Sequence, residues 1–145
     1  MNTKNKEAVA YCRVQPGEQY EETIEQQKNI INKYAEENGY TIAEWYCDKV
    51  WFDKKNVRPE FRRMMNSVKR GKIPCIIVPQ IERFACDVWD FAESAKALAE
   101  HNCGFVSVEN QIDDSPVGMN LPAMMLNLAQ YYADQCARAG IPTER

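Results

Sequence analysis

Two sets of side chains in this sequence have the chemistry to hold an anion or a metal: its arginines and its cysteines. Guanidinium groups stay charged and bind phosphoryl or carboxylate oxygens bidentately. Basic residues crowd one stretch, Lys54, Lys55, Arg58, Arg62, Arg63, Lys69, Arg70 and Lys72, against only Asp53 and Glu60. Two readings of that stretch stand: a phosphate-facing patch and a solvated helix face. The cysteines, at 12, 47, 75, 86, 103 and 136, include no Cys-x-x-Cys pair, and His101 is the single histidine. A zinc site would therefore need distant residues to converge. Cys12, Cys47, Cys75 and Cys103 fall in or beside strand-like segments, where cysteine packs as a small hydrophobe. Reduced thiols, with no metal and no cofactor, are the expectation.

The elements that must position these groups follow a βαβα rhythm. Residues 7–14 read as a strand ended by the Pro16-Gly17 turn. A polar helix follows over 19–38, with Ile24, Ile31, Tyr34 and Ala35 as its apolar stripe and Gly39 at the place of a left-handed cap. A second strand spans 40–47, and a charged loop over 48–57 carries Trp51 and Phe52. That pair would stack on bases or plug a pocket. Pro59 opens a helix over 59–70, with Phe61, Met64, Met65 and Val68 inward, and Gly71 ends it. The apolar run 73–78 suits a strand buried on both faces, a helix over 87–101 follows, and 104–108 reads as a fourth strand.

The last segment, 119–138, reads as a helix with Leu121, Met124, Met125, Leu126, Leu128, Ala129, Tyr131 and Tyr132 on more than one face. Such a helix must be buried, either across its own domain or against another subunit.

Strands separated by helices imply an α/β fold, a three-layer α/β/α sandwich around a mostly parallel sheet. Sites in such folds lie at the carboxyl ends of strands, which points to Gln15–Gln19, the 48–58 loop and Pro79–Cys86. The length, 145 residues, suits one domain over 1–145. No apolar run approaches the roughly 20 residues of a membrane span and no signal peptide is evident, so a cytoplasmic protein is expected. With 18 basic and 21 acidic residues, the net charge of −3 does not suit a free-standing nucleic-acid binder by bulk charge.

The stretch Tyr11-Cys12-Arg13-Val14-Gln15-Pro16-Gly17-Glu18-Gln19 resembles the opening motif of the serine recombinases, the resolvase/invertase family. There the pattern is roughly Tyr-x-Arg-Val-Ser-x-x-x-Gln and the serine attacks a DNA phosphodiester. The resemblance runs from Ala8 to about Gln130. It takes in Glu25-Gln26-Gln27, Tyr34-Ala35-x-x-x-Gly39-Tyr40, Arg58-Pro59-x-Phe61, Ile81-Glu82-Arg83-Phe84, Gly104-Phe105 with Glu109, Pro116-x-Gly118 and Leu128-Ala129-Gln130. It implies a resolvase-like catalytic domain with a long C-terminal dimerisation helix. It places Arg13, Arg58 and Arg83 at active-site arginine positions and Gln19 at that of an ordering glutamine. Glu82 stands for the usual aspartate.

The departures bear on activity. Gln15 replaces the nucleophile, and an amide offers no oxygen or sulfur that a base could activate. Cys86 stands where a second arginine is expected. There it would either fill space or present a thiolate whose pKa nearby arginines lower. Phe52 takes the place of a frequent serine, and Tyr132-Ala133 that of Glu-Arg.

The reading is of a serine recombinase-like domain tied to DNA recombination but unable to cleave DNA, because removing one member of a catalytic unit can cost as much as removing all of it. The family's DNA-binding region is expected to be absent from this sequence. The expected partners are duplex DNA, weakly, and a second copy of the chain through 119–138, with no membrane. The alternative is a non-catalytic interaction or oligomerisation module on the same scaffold. A third reading, a flavodoxin-like anion binder at 15–19, has no Gly-rich fingerprint behind it.

Overall fold

A computed structural model describes residues 6–49, 57–85, 88–110 and 112–114. Its elements are β1 (Lys6–Val14), α1 (Tyr20–Asn38), β2 (Tyr40–Lys49), α2 (Pro59–Lys69), β3 (Cys75–Val78), α3 (Ile81–Phe84), α4 (Val88–Glu100), β4 (Gly104–Ser107) and β5 (Ile112–Asp114). They build one sheet in the order β2-β1-β3-β4-β5. The first four strands run parallel and β5 lies antiparallel to β4. This is the expected α/β architecture with a largely parallel sheet. The expected last helix over 119–138, the pair Trp51-Phe52 and Cys86 lie outside the described residues.

Strand alternation divides the core in two. Val9 and Tyr11 join α2 and α4 on one face, with Met64, Val68, Phe91, Ala95 and Leu98. Ala8, Ala10, Cys12 and Val14 join Ile24 and Ile31 of α1 on the other. A register shift between Ala8 and Val9 lets β2 keep step with this division. Ile42 before it, and Trp45 and Cys47 after it, all pack on the α1 side. β3 and β4 are buried at every position, as strands covered on both faces must be.

Several local signals act as expected. Gly39 takes a left-handed conformation (φ 76°) and its N–H returns to the Ala35 carbonyl, closing α1. Pro59 opens α2, where its missing N–H costs nothing. The strand expected over 73–78 is shorter, Cys75–Val78, although Ile73 is still buried. α3 and β5 were not foreseen. A ring cluster fixes α3: Phe84 packs on Phe61, Phe91 and Phe105 at centroid distances of 5.3, 5.9 and 4.8 Å. No described helix is long and apolar enough to cross a membrane.

The chain leaves β1 toward β2 on one side and returns to β3 on the other. The crevice outside the carboxyl ends of β1 and β3 is thus the switch point, where ligands bind in open α/β sheets.

Candidate active site at the carboxyl ends of β1 and β3

Arg13 is the next-to-last residue of β1 and is nearly fully buried, 3% exposed. Gln27 of α1 clasps its main chain at two points. Its Oε1 accepts the Arg13 N–H at 3.1 Å, and its Nε2 donates to the Arg13 carbonyl at 3.0 Å. The Arg13 Nη2 donates to the carbonyl of Glu82 in α3. Arg58, at the start of α2, donates from Nη1 to the Phe84 carbonyl at 2.7 Å and from Nη2 to Asp90 of α4 at 3.0 Å. Its guanidinium lies 3.9 Å from the centroid of the Phe61 ring. Two expected active-site arginines therefore satisfy carbonyls of a one-turn helix that has few bonds of its own.

Arg83, on α3, reaches back to the end of β1. Its Nη1 donates to the Arg13 carbonyl at 3.0 Å, and its Nε to Oε1 of Gln80 at 3.3 Å. The fork then closes on Glu18, with Nη1 to Oε1 at 2.8 Å and Nη2 to Oε2 at 3.0 Å. Glu18 Oε1 also accepts the Gln15 N–H at 2.7 Å. Arg83 holds the Glu18 carboxyl below the usual carboxylate range, with the Gln15 N–H adding to the effect and partial burial opposing it.

The loop carrying Glu18 is a tight turn. The Glu18 N–H returns to the Gln15 carbonyl at 3.2 Å, and Gly17 stands at φ 90°. Pro at the second position and a positive-φ Gly at the third are the type II signature.

Asp48, at the carboxyl end of β2, is 2% exposed. Its Oδ2 accepts the Tyr11 hydroxyl and the Phe61 N–H, both at 2.8 Å, and its Oδ1 accepts the Glu60 N–H at 2.9 Å. It thereby anchors the first turn of α2, where a negative charge also suits the helix dipole, and so places Arg58. Burial, then the Asp48 charge, pushes the Tyr11 hydroxyl up.

Of the residues expected at the site, Arg13, Gln15, Glu82 and Arg83 meet at the crevice. Arg58 approaches from the α2 side, turned toward Phe84 and Asp90. Gln19 is exposed, and its carbonyl accepts the Thr23 N–H at 2.9 Å at the start of α1. The amide that orders Arg13 is Gln27. Glu82 is exposed, and it meets Arg13 through its carbonyl. Gln27 and Asp90 were not foreseen as site residues; Glu18 and Asp48 fall within the Gln15–Gln19 and 48–58 stretches expected at the site, without a role of their own. Within the described part of the basic stretch, Arg58 is buried and Arg63 is paired with Glu44 and Glu60, both at 2.7 Å. No group of three or more metal-ligating side chains occurs among the described residues.

Comparisons with known proteins bear on the family and the fold. Residues 8–139 match the family model described as Resolvase, N terminal domain. The chain belongs to the resolvase family. Its fold is similar to the N-terminal catalytic domain of TP901-1 integrase, at 23% identity and a TM-score of 0.69, covering 90% of this chain and 96% of that one. A resolvase family site-specific recombinase from Streptococcus pneumoniae is similar at 23% identity and a TM-score of 0.69, covering 93% of each chain. A serine recombinase from Sulfolobus solfataricus is similar at 15% identity and a TM-score of 0.54, covering 95% of this chain and 89% of that one. Among curated proteins none matches the chain.

Proposed function

We propose that this resolvase-family domain engages the DNA backbone at the β1–β3 crevice without cleaving it, as a non-cleaving component of a recombination system. The observation that carries this reading is Gln15. It follows β1 directly, and its main chain shares the Glu18 carboxylate with Arg83, beside Arg13. An amide there leaves the crevice with cationic groups suited to phosphate oxygens and no attacking hydroxyl. Cys86 at an arginine position of the family pattern supports the same direction.

The test is a covalent-adduct assay on supercoiled DNA, quenched in denaturant, with the unaltered chain and a Gln15→Ser variant. The unaltered chain is expected to form no adduct, and an adduct from it would overturn the reading. Adducts from the Ser variant alone would mean a site complete but for its nucleophile. Silence from both would place the loss beyond Gln15 as well.

A second reading is an oligomerisation module on the resolvase scaffold. It is favoured by the net charge of −3 and by arginines already bonded to protein oxygens. Under either reading, 119–138 is proposed as a self-association segment. Sedimentation tests this, and a monomer at high micromolar concentration would refute it. Affinity for duplex DNA that falls steeply with salt favours the DNA reading. Self-association indifferent to polyanions favours the second.

A further inference from the structure

We propose that Glu18 is a built-in competitor for the anion site: its carboxylate occupies the Arg83 fork and the Gln15 N–H, and an external anion of the phosphate class binds only by displacing it. The proposal rests on the reading of this crevice as a phosphate site and adds its regulation.

Three features of the geometry carry it. The first is the form of the contact. Arg83 meets the carboxylate through both Nη atoms at 2.8 and 3.0 Å, and the Gln15 N–H adds a third donor at 2.7 Å. Two parallel guanidinium donors and a main-chain N–H are the set that holds two oxygens of a phosphate. A carboxylate in that seat satisfies the donors an incoming anion would use.

The second is that Arg83 does not need Glu18 to be held. Its Nη1 still donates to the Arg13 carbonyl at 3.0 Å and its Nε to Gln80 at 3.3 Å. If Glu18 leaves, the guanidinium keeps its place and gains a free edge. This separates a competitor from a positioning residue.

The third is that Glu18 can leave. Its side chain is 32% exposed, so the released carboxylate enters water. It sits at the last position of the Gln15–Glu18 turn, before α1 begins at Tyr20. Gly17, at φ 90° with nothing within 4 Å of where a Cβ would lie, gives that turn room to reopen. The fork also holds the Glu18 carboxyl below the usual carboxylate range, so the seat is filled at neutral pH.

The test titrates inorganic sulfate, tetrahedral and doubly charged throughout the range used, into the protein while following the Arg83 Nε–H and Gln15 amide signals by NMR. Glu18→Gln and Glu18→Ala are each expected to bind sulfate about tenfold more tightly than the unaltered chain, the worth of about one charge-assisted contact. Adding Arg83→Gln to Glu18→Ala is expected to abolish it. In the unaltered chain, affinity at Arg83 is expected to rise as the pH falls far enough to protonate Glu18, an arm that needs no variant. If sulfate shifts Arg83 equally in all three proteins, or more weakly in the Glu18 variants, the competitor role is overturned while the anion site stands. If sulfate shifts Arg83 in none of them at any pH, the anion-site reading itself fails and the competitor role with it.

Discussion

The Tyr11 hydroxyl donates to Asp48 Oδ2 at 2.8 Å across 37 residues of sequence, and the same carboxylate accepts the N–H groups of Glu60 and Phe61. One buried acid thereby ties β1, β2 and the first turn of α2 together. Tyr11→Phe removes one of three donors and leaves Asp48 satisfied by two, for a loss of about 1 kcal/mol in urea unfolding. Asp48→Asn keeps one acceptor oxygen and turns an NH2 toward donors. It is expected to cost about 2–3 kcal/mol. Equal losses in the two variants would mean that the helix N–H groups do not depend on the charge.

Arg58 joins α2 to both α3 and α4, through the Phe84 carbonyl, Asp90 and the Phe61 ring. At 9% exposure it is nearly dry. Lysine has charge but no planar fork, so it cannot meet both partners and stack on the ring as well. Arg58→Lys is expected to destabilise by about 2 kcal/mol and Arg58→Ala by more, leaving Asp90 without this ion pair. Thermal unfolding of the two variants checks the order. A lysine variant as stable as the parent would show that the fork geometry is dispensable.

The elements that position the site were legible where the chain carries a period or a stop signal. The alternation of β1, the stripe of α1, Gly39, Pro59 and the apolar run of β3 each state a local preference that tertiary packing left unchanged. α3 was not legible, because four residues hold no period. What defines it is Phe84 in a ring cluster and two guanidiniums from elsewhere in the chain. β5, at three residues, is too short for alternation to show. The resemblance carried a role to one position, and the structure shows a further residue besides it. The resemblance implies an ordering glutamine at Gln19; the amide that clasps the Arg13 main chain is Gln27, two helical turns further on. Glu18 lies in the Gln15–Gln19 stretch that the strand-end rule marks, but its particular role was not legible. Its role depends on Arg83, 65 residues away, and no local pattern encodes that meeting.

The Glu18–Arg83 pair has a definite pH signature. The folded pKa of Glu18 is depressed, with the Arg83 hydrogen bond as the largest cause. Its contribution to stability is therefore full above the ordinary glutamate value of about 4.3 and is lost as the pH falls through the lower folded value. Glu18→Gln removes that dependence. The difference in unfolding free energy between the parent and Glu18→Gln should thus be constant from neutral pH down to roughly pH 5 and shrink below it. The effect is modest, because the side chain is about one-third exposed and solvent screens it. A difference that grows on acidification would mean that Glu18 is held in its protonated form, contrary to the fork geometry.

The thiols should differ in reactivity, because Cys47 is both the least buried of the four described and the one whose thiol is held below its ordinary value. Cys47 on β2 is half-buried and is the ladder partner of Cys12 on β1, both facing α1. The neighbouring Cys12 thiol, aided by the Lys28 charge and opposed by burial, holds the Cys47 thiol below its ordinary value. The same contact, with burial, pushes Cys12 up, and burial pushes Cys103 up. Thiolate is the reactive form. Among Cys12, Cys47, Cys75 and Cys103, iodoacetamide should therefore modify Cys47 first, at a rate that rises with pH and levels below the ordinary thiol value of about 8.5, read by peptide mass spectrometry. Cys12→Ala should move the midpoint up toward the ordinary thiol value of about 8.5 and slow the reaction at neutral pH. An unchanged midpoint in that variant would show that Lys28, rather than the neighbouring thiol, sets the reactivity of Cys47.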